Sequence, residues 1–321
     1  MWKTVVRRLI ILIPQLFALS LLVFFLASFM PGDALRGLIG PNVRPETIER
    51  LRELHGMNDP WFTQYIRWLG ALFQGDFGNS ITHQRPVLVI IGERIGNTML
   101  LSFTATIFTY LAAVPLGIIA ARFKGRPLDK GIMIYTFIAL SMPTVVMSLI
   151  NILVFALSLG WFPPFGAIEL SAHAAGGLTA FLSRMQHVML PALTMAFLST
   201  VGIIYFLRSE IIDTDSSDFV TTARSKGVPE NKIYTHHILR NALLPVAGDA
   251  GPLIVGIFVG SIFIETVFTY QGMGELFISS ITTRDFPVAN ILILFYAMLG
   301  ALATLITDIV ITIIDPRIRI K

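Results

Sequence analysis

Three carboxylates stand where the surrounding sequence is too apolar for water: Asp249, Glu265 and Asp308. In such surroundings a carboxylate faces a bundle interior or a wet cavity, and it is a functional-site hypothesis by default. Asp249 lies seven residues into one apolar run, and Asp308 lies seven residues before Asp315 near the end of another. Each is therefore about 10 Å from the same end of its run. Two aspartates at matched depth are the residue types of an acid dyad sharing one proton. The rest of the sequence does not complete an intramembrane enzyme. There is no cysteine and no Gly-x-Ser-x-Gly. The six histidines (His55, His83, His173, His187, His236 and His237) lie outside the deep parts of the apolar runs. None is spaced as His-x-x-x-His, so a metal site is not indicated. No Gly-x-x-x-x-Gly-Lys-Ser/Thr phosphate loop occurs, so any ATP chemistry belongs to another chain.

The elements that must hold these carboxylates are membrane spans. Hydrophobic residues make up 54% of the 321 and charged residues only 14%, with a mean hydropathy of +0.73. Soluble domains carry about 25% charged residues. Runs long enough to cross a hydrocarbon core need about 20 apolar residues. Six are present, at 9–30, 97–121, 132–159, 188–211, 242–268 and 290–314. The alternation of a β-barrel is absent. The first run is too long for a signal peptide and is read as a retained span. Fifteen of the 24 Lys and Arg residues fall in short segments on one side of these runs, and seven of the other nine lie in one long loop. Short basic loops mark the cytoplasmic side. Both termini are thus expected in the cytoplasm, and the pI near 9.5 needs no nucleic acid. The expected organisation is residues 1–30 as N-terminus and first span, 31–96 as an external subdomain, and 97–321 as a five-span core. That core carries a cytoplasmic loop at 212–241. The stretch from Trp61 to Phe73 is amphipathic and aromatic, suited to a membrane interface or to packing within the subdomain.

The 212–241 loop carries the most specific pattern. After an acidic patch of Asp213, Asp215 and Asp218, a short helix is expected over Phe219, Val220, Thr221, Thr222, Ala223, Arg224, Ser225, Lys226 and Gly227, broken by Pro229. Val220, Ala223 and Gly227 fall at i, i+3 and i+7, a small-residue face that another surface can approach. The decapeptide 218–227, followed by Leu-Arg-Asn-Ala-Leu-Leu-Pro at 239–245, resembles the cytoplasmic "EAA" loop of ABC-importer permeases. It is most similar to the dipeptide/oligopeptide/nickel branch. Thr221-Thr222-Ala223 stands where the general pattern has Glu-Ala-Ala. Further motifs resemble the branch in order along the chain: Gly75-Asp76-Phe77-Gly78, Asn97-Thr98, Leu190-Pro191-Ala192, Glu265-Thr266-Val267-Phe268, Asp285-Phe286-Pro287-Val288 and Asp315-Pro316-Arg317.

The resemblance implies an all-α polytopic protein of the type I ABC-importer permease fold, in a bacterial cytoplasmic membrane. It implies a homologous second permease, two ATP-binding subunits, an external substrate-binding protein and a peptide substrate. ATP and Mg are expected in the partner subunits, with no cofactor in this chain. It assigns Asp218, Phe219, Val220, Thr222, Ala223, Arg224, Lys226 and Gly227 to coupling with the ATPase. Asp249, Glu265 and Asp308 become candidates for lining or gating the pathway, with structural roles favoured for the last two. Nickel is the alternative substrate. A secondary transporter is the remaining rival, and it would show internal repeats.

Overall fold

Every regular element among the described residues is a helix. The computed structural model describes residues 2–29, 50, 59–242 and 250–314. The chain begins with α1 (Trp2–Phe29) and continues with α2 (Trp61–Phe73), α3 (Val87–Arg122), α4 (Pro127–Ser141) and α5 (Thr144–Asn151). A π-helical segment, Ile152–Ser158, prolongs α5. There follow α6 (Leu170–Ala175), α7 (Gly177–Asp215), α8 (Asp218–Ser225), α9 (Glu230–Lys232) and α10 (Leu239–Ala242). The last four are α11 (Ala250–Val259), α12 (Ile262–Val267), α13 (Met273–Thr282) and α14 (Phe286–Ile314).

Three uninterrupted helices, α3, α7 and α14, are long and apolar enough to cross a bilayer. The bent α4–α5 pair makes a fourth if it is one span, and two shorter apolar stretches, Ile10–Phe25 and Gly251–Val267, fall in the first and fifth expected runs. Two of the six are broken. The 132–159 run bends by 104° between α4 and α5. Pro143 has no N–H to continue α4, and its ring forces Met142 into an extended conformation (φ −89°, ψ 116°). The 242–268 run breaks at Gly260, whose φ of +68° is left-handed. Ser261 then caps α12, its Oγ accepting from the Ile264 N–H.

Small residues set the helix spacing, as expected where lipid and side chains are equally apolar. A Cβ on Gly117 of α3 would stand 3.0 Å from Leu207 of α7. A Cβ on Gly251 would collide with the Ala303 carbonyl and with Thr307, so α11 lies directly on α14. Three apolar clusters result. One joins α3, α7 and α12 around Leu101, Val188 and Phe268. One joins the start of α3 to α13 and α14. The third joins the ends of α3 and α7 to the 212–241 loop. Large side chains such as Phe103, Leu111, Phe137 and Leu140 point outward, a surface suited to hydrocarbon.

Candidate functional site

The 212–241 loop is a folded unit. In α8, Val220 and Ala223 are buried against Leu207, Ile211, Ile233 and Ile238 of the same chain. The small-residue face of this helix is therefore occupied internally. Gly227 is not on the helix at all. It follows the C-cap residue Lys226 with φ +75°, and a Cβ there would meet nothing within 4 Å. Its N–H donates to the Arg224 carbonyl (2.9 Å), while the Val228 N–H donates to the Ala223 carbonyl (3.2 Å). This is a Schellman cap, which needs a left-handed residue at that point. The left-handed conformation alone already calls for a glycine at this position. The outward face consists of Phe219, Thr222 and Lys226, also at i, i+3 and i+7, with Asp218 beside them.

Charge pairs fix this unit. Arg224 bonds Glu230 (2.8 Å) and Asp215 (2.6 Å), tying α8 to the end of α7 and the start of α9. The hydrogen bond from Arg224 holds the Glu230 carboxyl below the usual carboxylate range, and the same pairing raises the guanidinium. Arg122, at the end of α3, donates to Asn231 (3.0 Å) and stands 5.6 Å over the Tyr234 ring. At the same end of the bundle, Arg208 of α7 makes a two-pronged bond to the buried Asp129 of α4 (2.8 and 2.9 Å). Asp129 also accepts from the Gly125 N–H (2.8 Å). This pair escapes sequence reading because its members are 79 residues apart. The available signal is a lone acid in the first turn of one apolar helix and an arginine near the end of another.

The three carboxylates have different fates. Asp249 lies outside the described residues. Asp308 is half-buried on α14. Glu265 is fully buried and satisfied: it accepts from Thr98 Oγ1 (2.9 Å), the Gly274 N–H (2.7 Å) and the Glu275 N–H (3.2 Å). Thr98 Oγ1 in turn accepts from the Met273 N–H (2.7 Å). The carboxylate therefore sits at the N-terminus of α13, where the unpaired amides and the helix dipole favour an anion. Gly260, Gly272 and Gly274 make room for it; a Cβ on Gly274 would lie 2.8 Å from the Ile262 backbone. A second buried acid, Asp285, binds the 80–82 turn: it accepts from the Ser80 hydroxyl and from the N–H groups of Ile81 (3.0 Å) and Thr82 (3.2 Å). It appears in the sequence only as part of a motif, because its partners are over 200 positions away.

Cavities open between the helices, one of about 390 Å³ between α1 and α14, and two others beside α3 and α7. The larger, about 660 Å³, lies among α3, α4, α5 and α7 and is walled by Phe108, Phe155, Trp161 and Phe197. Its lining suits hydrocarbon. The smaller of these two, about 230 Å³, lies among α3, α7 and α11, and its lining mixes hydroxyls such as Thr106 and Ser199 with apolar Met195, Ile203 and Leu253.

Fold and site together define a polytopic helical membrane protein that presents a rigid, exposed loop helix at one end. The chain belongs to the family described as "binding-protein-dependent transport system inner membrane component", which matches residues 113–320. The N-terminal component of the same systems matches residues 1–104. It is 36% identical over 316 residues to the oligopeptide transport system permease protein AppB of Bacillus subtilis (strain 168), covering 98% of both chains. It is 34% identical over 321 residues to the glutathione transport system permease protein GsiC of Escherichia coli (strain K12), covering 100% of both. Among solved structures it is similar to an inward-facing form of the MetNI methionine ABC transporter. There the TM-score is 0.54 at 13% identity, over 71% of this chain and 97% of that one. That likeness concerns the fold.

Proposed function

We propose that the chain is the permease subunit of an ATP-driven importer of oligopeptides or dipeptides. It forms half of the translocation pathway beside a homologous second permease, and an external binding protein delivers the substrate. Two separate ATP-binding subunits supply the energy. It sits in a bacterial cytoplasmic membrane with both termini and the 212–241 loop inside. Residues 1–30, 31–96 and 97–321 act as anchor, external subdomain and core.

The observation that carries the coupling role is the construction of α8. A short surface helix held by a buried apolar face, a Schellman cap and two ion pairs is stiff enough to transmit a displacement. Its Phe219, Thr222 and Lys226 are exposed. An aromatic ringed by polar groups is the composition of a contact hot spot. The peptide substrate is supported by the oligopeptide and glutathione systems among the relatives.

The test is reconstitution of the complex in liposomes. Uptake of a labelled peptide is expected only with ATP inside, and Phe219→Ala is expected to weaken ATPase association about tenfold, a typical hot-spot loss. Uptake without ATP, or a chain that purifies intact and active without an ATPase, would overturn the proposal.

A further inference from the structure

We propose that α2 is a lipid-binding helix: it lies in the plane of the outer leaflet, and its exposed apolar stripe takes up phospholipid acyl chains. The inference needs α1 to span the bilayer and nothing about the cargo. α2 has 13 residues. At about 20 Å it is too short to cross a hydrocarbon core of about 30 Å.

The sequence divides α2 into stripes at i, i+4, i+7 and i+11, each a single helical face. Trp61, Tyr65, Trp68 and Leu72 form the packed stripe, in which Tyr65 is buried and Trp68 and Leu72 are half-buried. Phe62, Ile66, Leu69 and Phe73 form the second. Of these, Phe62, Ile66 and Phe73 are 54%, 65% and 85% exposed. A contiguous exposed row of this kind marks a membrane or protein contact. Thr63, Arg67 and Gln74 mark the third stripe, which is polar.

What covers the apolar row follows from how α2 sits on α1. Trp61 packs on Phe25 and Trp68 on Phe24, each pair with ring centroids 5.5 Å apart. These two phenylalanines stand shortly before the end of α1 at Phe29, about 6–8 Å below it. Tyr65 reaches deeper. It packs on Phe24 (5.5 Å) and Phe17 (6.2 Å), and its hydroxyl shares a 2.8 Å hydrogen bond with Ser20. Phe17 is about 18 Å from the end of α1, near the middle of the span. Around α2, at about 100° per residue, Tyr65 is the packed residue nearest the exposed apolar stripe, and Trp68 is the one nearest the polar stripe. Moving round α2 toward Phe62 and Ile66 thus moves down α1 into the membrane. The apolar stripe faces the bilayer interior, and the polar stripe faces water.

This is the arrangement of an interfacial amphipathic helix, which buries its apolar face about 5–10 Å into the headgroup and acyl boundary. Arg67, the one charged residue of α2, is ion-paired with Asp59 (2.6 Å). The ligand is therefore the acyl chain rather than an anionic headgroup. Trp68 and Leu72 also rest on the cluster joining α3, α13 and α14. The lipid-binding stripe is thus carried by the core as well as by α1, and within the 31–96 segment α2 belongs to the membrane.

The chain has no cysteine, so single nitroxide labels can read the surroundings of α2 in the assembled complex, built with cysteine-free partners in phosphatidylcholine vesicles. Ile66→Cys and Phe73→Cys lie on the apolar stripe, and Gln74→Cys lies on the polar one. All three replace exposed side chains, where substitutions leave the fold intact. Collision rates are measured with oxygen, which partitions into hydrocarbon, and with a water-soluble nickel chelate. Oxygen is expected to exceed the chelate at 66 and 73, and the order is expected to invert at 74. Chelate access at 66 and 73 equal to that at 74 would put α2 in water and overturn the inference. Low rates with both reagents at 66 and 73 would show that protein covers the stripe, and would equally overturn it. Loss of ATP-dependent peptide uptake would strike only the peptide-permease reading, so the two failures are separable.

Discussion

At the residue scale, Glu265 and Gly227 show how position decides between chemistry and support. Glu265 accepts three hydrogen bonds at the start of α13, and Thr98 relays a fourth from Met273. Thr98→Val keeps the shape but removes both the donor to Glu265 and the acceptor for the Met273 N–H. Leaving a buried donor unsatisfied costs about 1–3 kcal/mol. A lowered unfolding temperature in detergent is expected for Thr98→Val, and a larger drop for Glu265→Ala. An unchanged midpoint for both would show that this node does not hold α13 in place. Gly227 is governed by its φ of +75°. The left-handed conformation costs an L-residue about 1–2 kcal/mol, while the space around its Cβ is open. Ala and Leu at 227 are therefore expected to impair coupled uptake equally, and Asn, which tolerates this region, less. A Leu variant far worse than Ala would mean that a partner surface crowds the position.

At the element scale, α8 is positioned by ion pairs as well as by its buried face. Arg224 holds the Glu230 carboxyl below its ordinary value. A carboxyl lowered in the folded state adds stability above the unfolded value of about 4.3. That contribution is lost as pH falls through the lowered folded value. The pair is exposed and salt-screened, so its effect is local rather than global. The protection factors of amides in 218–230, referred to the intrinsic exchange rate at each pH, are expected to fall on acidification below about pH 4.3 and, at neutral pH, in Arg224→Gln, with those of α3 and α7 unaffected. Uniform protection across these conditions would leave the buried face as the sole anchor. This element also marks how far sequence reading reaches. The six apolar runs are legible because a span needs a long uninterrupted stretch. The short helix at 218–225 is legible from its composition and the Pro229 stop. Which face of that helix packs inward is not: Val220 and Ala223 and their counterparts Phe219, Thr222 and Lys226 share the same spacing. Contacts with Ile233 and Ile238 decide between them. The break before α5 is signalled by Pro143, whereas the role of Gly260 emerges only once Glu265 is seated beside it.

At the scale of the whole molecule, the bend in the third apolar run decides the topology. Pro127–Ser141 and Thr144–Ser158 meet at 104°, which fits either a broken span or a hairpin that returns to its own side. The two arrangements place everything after residue 158 on opposite sides of the membrane. With the first residues inside, a broken span leaves 160–176 outside and the 212–241 loop inside. A returning hairpin reverses both, and would export Arg208, Arg224, Lys226, Lys232 and Arg240. A span end rich in Lys and Arg is retained on the cytoplasmic side, so the charge distribution favours the broken span. Because the chain has no cysteine, exposed single thiols report the answer. In intact cells stripped of any outer barrier, an impermeant maleimide is expected to label Ser171→Cys and to spare Ser225→Cys until the membrane is permeabilised. The reverse pattern would identify the hairpin. It would also move α8 to the outer face, where no ATPase could reach Phe219, and would end the coupling role assigned to that loop.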